Sequence, residues 1–136
     1  MNSQKYSFLI DAAREARLSS YAPYSRFSVG AALLCADGSI YTGANIENSS
    51  FTPTVCAERV AFFRAIHDGK RDFSAIAITG GKSGDEPTEI TPPCGVCRQV
   101  MGEFCGGDFL IILDGGERCE CFTLNGLFPN RFDLKK

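Results

Sequence analysis

Four side chains in this 136-residue chain are of types and spacings that can do chemistry together. Cys56 and Glu58 lie in Cys56-Ala57-Glu58-Arg59, and Cys94 and Cys97 lie in Pro92-Pro93-Cys94-Gly95-Val96-Cys97-Arg98. Each stretch stands where a loop is expected to become a helix. Cys94 and Cys97 can grip one ion from a single turn, and Cys56 brings a third thiolate from another element. Three protein ligands with a fourth position left open define a catalytic rather than a structural zinc site. Unpaired N–H groups and the positive dipole end at a helix start favour thiolates there, and Pro93 suits a helix start because it lacks a donor. Glu58 follows the ligand within the same turn but on another face. It is therefore placed to exchange protons with water at the metal without binding the metal itself.

Three thiolates on Zn²⁺ leave a net charge of about −1, which opposes the activation of water by the metal. Arg59 and Arg98 each directly follow a site residue, and both are expected to donate to the sulfurs and withdraw charge from them.

The elements that must hold these residues follow from periodicity and turn residues. Residues 4–18 read as an amphipathic helix on a Phe8, Ala12, Ala16 repeat widened by Leu9 and Ala13. Phe27–Cys35 and Ile40–Ile46 read as a hairpin turned at Asp37-Gly38. A helix capped by Thr54 is expected to begin at Val55 or Cys56 and end near Asp68-Gly69, with Phe62 and Phe63 in the core. Phe73–Thr79 reads as a strand covered on both faces. A loop from Gly80 to Pro93, a helix from Gly95 to Cys105, and strands at Phe109–Leu113 and Glu120–Leu124 complete the order. His67 falls near a helix C-terminus, and Lys135-Lys136 reads as a solvated end. Alternating helices and strands around an initial hairpin imply a three-layer α-β-α sandwich on a mixed sheet of about five strands. A single domain over residues 1–136 is expected, since this length suits one core.

Composition narrows the function classes. The hydrophobic share is 44%, the net charge −2 and the sequence pI about 5.4. No basic excess is present to neutralise a nucleic-acid backbone, and no apolar run reaches the ~20 residues of a membrane span. The first residues lack the apolar core of an export signal, so a cytoplasmic location is expected. Disulfides are rare there, and seven cysteines cannot all pair within one chain. Metal binding is the better use for the closely spaced ones.

Cys56-Ala57-Glu58-Arg59 followed by Pro93-Cys94-Gly95-Val96-Cys97-Arg98-Gln99-Val100 resembles the zinc-dependent cytidine deaminase family. Ser28-Val29-Gly30-Ala31-Ala32, Gly43-Ala44-Asn45-Ile46-Glu47-Asn48 and Glu103-Phe104 extend the resemblance over nearly the whole chain. The branch resembled is the short, homotetrameric one, with Cys56 where other deaminases carry histidine. The resemblance implies one zinc per chain and hydrolytic deamination of free cytidine and deoxycytidine to uridine and deoxyuridine plus ammonia, a pyrimidine-salvage step. In that reaction hydroxide on zinc adds to C4 of the base, while Glu58 protonates N3 and then the leaving amine. It also implies that Asn45 and Glu47 hold ribose hydroxyls, that Phe27 walls the pocket, and that Ala57 and Glu58 read the base. Phe51 and Phe132 would serve sites shared between subunits of a homotetramer. Phe51 is a departure, since the family more often has tyrosine there.

Two rival readings remain at this point. Cys94, Cys97, Cys119 and Cys121 can be drawn as a closed four-thiolate zinc ribbon, which makes the chain a structural or binding module and leaves Glu58 without a task. A deaminase acting on nucleotides or on bases within DNA or RNA is the second rival. The acidic balance and the residues matching ribose contacts argue against it.

Overall fold

The computed structural model describes residues 3–134, so Lys135 and Lys136 lie outside the described residues. The elements in chain order are a 3₁₀ turn at Ser3–Tyr6, α1 (Ser7–Arg17), β1 (Phe27–Cys35), β2 (Ile40–Ala44), α2 (Ala57–His67), β3 (Phe73–Lys82), α3 (Gly95–Phe104), β4 (Leu110–Asp114), β5 (Cys119–Thr123) and a short α4 (Leu124–Leu127). The five strands form one sheet in the order β2-β1-β3-β4-β5. β3 and β4 are parallel and every other neighbouring pair is antiparallel. The expected mixed sheet between helical layers is therefore the fold.

The two faces of the sheet carry separate cores. On one, Leu9, Ile10 and Ala13 of α1 meet Ala32, Ala75, Ala77 and Ile112. On the other, Ala57, Ala61, Phe62 and Ala65 of α2 and Met101 of α3 meet Leu33, Ile76, Ile78 and Ile111. Strand residues alternate between faces, so Ile76 and Ala77 feed opposite cores. The small side chains of Ala32, Ala75 and Ala77 on the α1 side let that helix lie close, and bulkier residues such as Leu33, Ile76 and Ile78 fill the α2 side.

Glycines bring the helices onto the sheet at the hairpin. A Cβ on Gly30 would lie 2.1 Å from Ala13 O, and one on Gly43 would lie 2.4 Å from Ala57 O. Gly43 is thus the floor on which the first turn of α2 rests, and that turn carries Glu58.

Several expectations need correction. The buried stripe of α1 is Leu9, Ile10 and Ala13, while Phe8 is exposed. Phe63 is half exposed rather than core. α2 is capped by Cys56, not by Thr54, whose hydroxyl accepts from Asn48 N–H at 3.0 Å. β3 continues through Gly80, Gly81 and Lys82, which pair with Val29, Ser28 and Phe27. These glycines are strand residues under close approach, because a Cβ on Gly80 would meet Thr91 Oγ1 at 2.5 Å.

Candidate metal and active site

Cys56 is the N-cap of α2 and Cys94 the N-cap of α3, both with extended backbone and neither using its side chain as a cap. Their sulfurs are left to face each other across the junction of the two helix starts. Cys97 stands in the first turn of α3 and is buried. The three sulfurs lie within 4.8 Å of one another. Cys56 Sγ to Cys94 Sγ is 3.8 Å and Cys94 Sγ to Cys97 Sγ is 3.5 Å. Tetrahedral zinc with Zn–S bonds of ~2.3 Å requires sulfurs about 3.8 Å apart, a spacing that the two distances from Cys94 match closely.

The rival four-thiolate ribbon does not form. Cys119 and Cys121 alternate to the same side of β5 and pack against the α1 core, on the opposite face of the sheet from α2 and α3. Among the described residues, Cys56, Cys94 and Cys97 are the set able to hold a metal.

Charge around the sulfurs is arranged by burial and by Arg59. Arg59 Nη2 donates to Cys56 Sγ at 3.4 Å, and its Nε is buried without a protein acceptor. Contact with the Cys97 thiol, and then the hydrogen bonds from Arg59 and Cys94, outweigh burial and hold the Cys56 thiol below its ordinary value. Arg98 lies differently from expectation. Its Nε donates to Pro93 O at 2.8 Å and its Nη1 to Leu127 O at 2.5 Å, so the guanidinium braces backbone carbonyls instead of donating to the sulfurs.

Glu58 is 4% exposed, and burial pushes its carboxyl up to about 7. It lies against Cys97 and beside Cys56 but is not one of the ligating set. A carboxyl poised near neutrality can both take and give a proton at neutral pH.

The loop before α2 is drawn to the metal turn by a small bridge. Ile46 and Val55 exchange both backbone hydrogen bonds at 3.0 Å, which sets Asn45 and Glu47 beside the run leading into Cys56. Asn45 Oδ1 accepts from Ser20 Oγ and Val29 N–H, and its Nδ2 donates to Phe27 O. Glu47 accepts from the Tyr24 and Ser25 N–H groups and from the Ser25 hydroxyl, whose bond draws its carboxyl below the ordinary value. Both side chains therefore hold the segment that presents Phe27. Sequence reasoning missed Ser20, Tyr24 and Ser25 in this frame, and nothing in their types or spacing marks them.

The aromatic residues are not gathered around the metal within one chain. Phe27, Phe51 and Phe132 are 41%, 72% and 68% exposed. Phe27 lines one cavity with the 80–91 segment, while Phe51 and Glu47 line another. Phe51 has a φ of +65° and meets Tyr24 edge-on at 6.4 Å. A larger cavity of about 790 Å³, lined by residues including Arg14, Glu86 and Arg118, contains none of these site residues.

A mixed sheet with two helix starts converging on three thiolates and one buried non-ligand glutamate defines a metal-dependent hydrolytic site. Residues 3–112 match the family model described as "Cytidine and deoxycytidylate deaminase zinc-binding region". A cytidine deaminase of Halalkalibacterium halodurans is 48% identical over 126 residues, covering 91% of each chain. Another, of Sporosarcina psychrophila, is 50% identical over 105 residues, covering 77% of this chain and 74% of that one. The crystal structure of cytidine deaminase from Burkholderia pseudomallei superposes with a TM-score of 0.86 at 40% identity, over 93% of this chain and 98% of that one. The chain belongs to this deaminase family, as a zinc-dependent hydrolytic deaminase binding one zinc per chain.

Proposed function

We propose that the chain deaminates free cytidine and deoxycytidine to uridine and deoxyuridine, releasing ammonia, with Cys56, Cys94 and Cys97 holding zinc and Glu58 moving the protons. The observation that carries this reading is Glu58 itself: a buried carboxyl with its pKa raised to about 7, against the sulfur cluster yet outside the ligand set. Zinc at the three sulfurs supplies Lewis-acid activation of water at neutral pH. Glu58 delivers a proton to N3 of the pyrimidine, which makes C4 electrophilic. Water gives one proton to Glu58 as its oxygen adds at C4, the carboxyl passes that proton to N4, the C4–N4 bond breaks as ammonia leaves, and the C4 hydroxyl proton returns to Glu58, which ends protonated as it began. Arg59 offsets the charge of the thiolates. Asn45 and Glu47 offer an amide and a carboxylate to sugar hydroxyls, a pairing able to donate and accept. Phe27 forms the wall of the pocket and the Ala57 backbone meets the base.

Relatives named cytidine deaminase support the nucleoside substrate, and the net charge of −2 supports it over a polynucleotide. A step that converts free nucleosides in this way serves pyrimidine salvage. Free thiols at the metal suit the reducing cytoplasm. The exposure of Phe51 and Phe132 supports a homotetramer whose subunits complete one another's pockets.

Metal content and ammonia release from cytidine test the reading together. Wild type and Cys119→Ala/Cys121→Ala are expected to hold one zinc and turn over. Glu58→Gln is expected to keep its zinc while turnover falls by at least ~10²–10⁴-fold, the usual contribution of a positioned acid–base group. A Glu58→Gln enzyme of wild-type turnover would sink the proton assignment.

A further inference from the structure

One flank of α3 is bound to the C-terminal segment at three successive places. Arg98 Nη1 donates to Leu127 O at 2.5 Å, and Gln99 Nε2 donates to Phe132 O at 3.0 Å. At Gly102, one helical turn beyond Arg98, the Arg131 side chain lies so close that a Cβ would meet its Cδ at 3.0 Å. Leu127 and Phe128 meanwhile pack against the core under α2 and α3. The opposite flank of the same helix buries Cys97 and Met101.

Arg98 is the member of this set that also touches the metal turn. Its Nε donates to Pro93 O at 2.8 Å. Pro93 is the residue directly before the ligand Cys94, and its carbonyl fixes the peptide plane from which that cysteine departs. One planar guanidinium therefore spans the approach to a metal ligand and the end of α4. A fork of fixed geometry can hold two carbonyls at once in a way a lysine ammonium cannot.

We infer that Arg98 is a positioning residue that couples zinc retention to the docking of the 127–132 segment. The coupling is reciprocal by thermodynamic necessity: a docked tail holds the Cys94 turn in its ligating shape, and bound zinc holds the tail in place. The inference rests on the zinc site alone and not on the proposed assembly. Residues supporting a ligand from outside the coordination shell typically change metal affinity by about 10–100-fold when removed.

Zinc transfer to a chelator and amide hydrogen exchange, read on the same full-length protein, test it. Arg98→Ala is expected to release zinc about 10–100-fold faster than wild type. In wild type, removing zinc is expected to speed exchange across residues 127–132. In Arg98→Ala those amides are expected to exchange fast whether zinc is bound or not, with Ile76 and Ile111 in the central strands still protected. If Arg98→Ala loses that central protection, Arg98→Lys carries the test, since it keeps the charge and loses the fork; faster zinc release is again expected. Wild-type zinc release from the variant that keeps its fold overturns the inference. So does tail exchange in wild type that is indifferent to zinc.

Discussion

At the residue scale the two arginines of the motif divide their labour. The sequence places both directly after a site residue, and charge alone assigned both to the sulfurs. Only the folded chain separates them, because Arg59 projects back one helical turn to Cys56 Sγ while Arg98 is captured by the carbonyls of Pro93 and Leu127. Leu127 is 29 residues away in the chain, and no local spacing announces that partner. Arg59→Gln keeps a polar side chain and removes the charge. It is expected to weaken zinc binding by about 10–100-fold, as loss of a supporting partner does. It should also lower turnover in the enzyme saturated with zinc, since the uncompensated thiolates make the metal a poorer acid. Competition against a chromophoric chelator, followed by assay in excess zinc, separates the two effects. Unchanged values in both remove Arg59 from the account.

The same scale shows why some site residues were legible and others were not. Cys56, Glu58, Cys94 and Cys97 were readable because metal chemistry limits the residue types and helix starts limit the spacing. Asn45 and Glu47 were readable only through family resemblance. Their side chains bond backbone and hydroxyl groups of the 20–29 segment, where any of several polar residues would look alike in sequence.

At the scale of elements, strand and helix types were legible because apolar periodicity reports which faces are covered. Boundaries failed where a residue has two meanings. Gly80 and Gly81 read as loop punctuation, yet they extend β3 at a place where Thr91 and Arg17 press on the strand. Gly43 has the corresponding role beneath α2. A Cβ there would lie 2.4 Å from Ala57 O and 2.6 Å from Ala61 N, both backbone atoms that cannot move without the helix. Gly43→Ala is therefore expected to cost about 1–3 kcal/mol or more, the usual range for overpacking. Because the lifted turn carries Cys56 and Glu58, zinc release should quicken as well. Urea unfolding of the zinc-loaded proteins checks the first effect, and a Gly43→Ala protein of wild-type midpoint would show that α2 does not rest where it is placed.

A second link between elements joins the layers through charge. Arg14 of α1 donates Nε to Asp114 Oδ2 at 2.6 Å and Nη2 to Oδ1 at 2.9 Å, and Thr79 Oγ1 donates to Oδ2 at 2.9 Å. Burial pushes the Asp114 carboxyl upward, but the bonds from Arg14, Gly116 N–H and Thr79 outweigh it and leave the group below its ordinary value. A carboxylate so depressed stabilises the fold fully above its unfolded value of ~3.9, and that stabilisation is lost as the pH falls through the folded value. Asp114→Asn is expected to cost about 1–3 kcal/mol at pH 7; the larger cost of breaking a fully buried pair does not apply, because the Arg14 side chain is 39% exposed. The gap between the variant and wild type should then close below about pH 4. Unfolding both proteins in chelator at pH 7 and pH 3 keeps zinc loss common to the two. A gap that stays constant between those pH values would place the stabilisation outside the carboxylate charge.

At the scale of the whole molecule, one chain gathers a metal set and a buried carboxyl but leaves outside a common pocket the three aromatic residues proposed to meet the substrate. Phe27, Phe51 and Phe132 are exposed, and Val96 of the metal turn is 57% exposed as well. We propose that association of several copies covers such groups and brings a tail aromatic to a neighbour's metal turn. Mixing inactive chains tests the sharing directly. Glu58→Gln chains keep Phe132 but cannot move the proton, and Phe132→Ala chains keep Glu58 but lack the aromatic. Co-expressed in equal amounts, half the sites carry Glu58, and half of those face a neighbour with Phe132. About a quarter of wild-type activity is expected at low substrate concentration if the assembly is symmetric and each site takes one tail. Each variant alone should fall well below that level, and light scattering should report a mass of several chains. If Phe132 serves only its own chain's pocket, mixing yields the average of the two variants and nothing more, and a fully active monomer excludes the shared pocket outright.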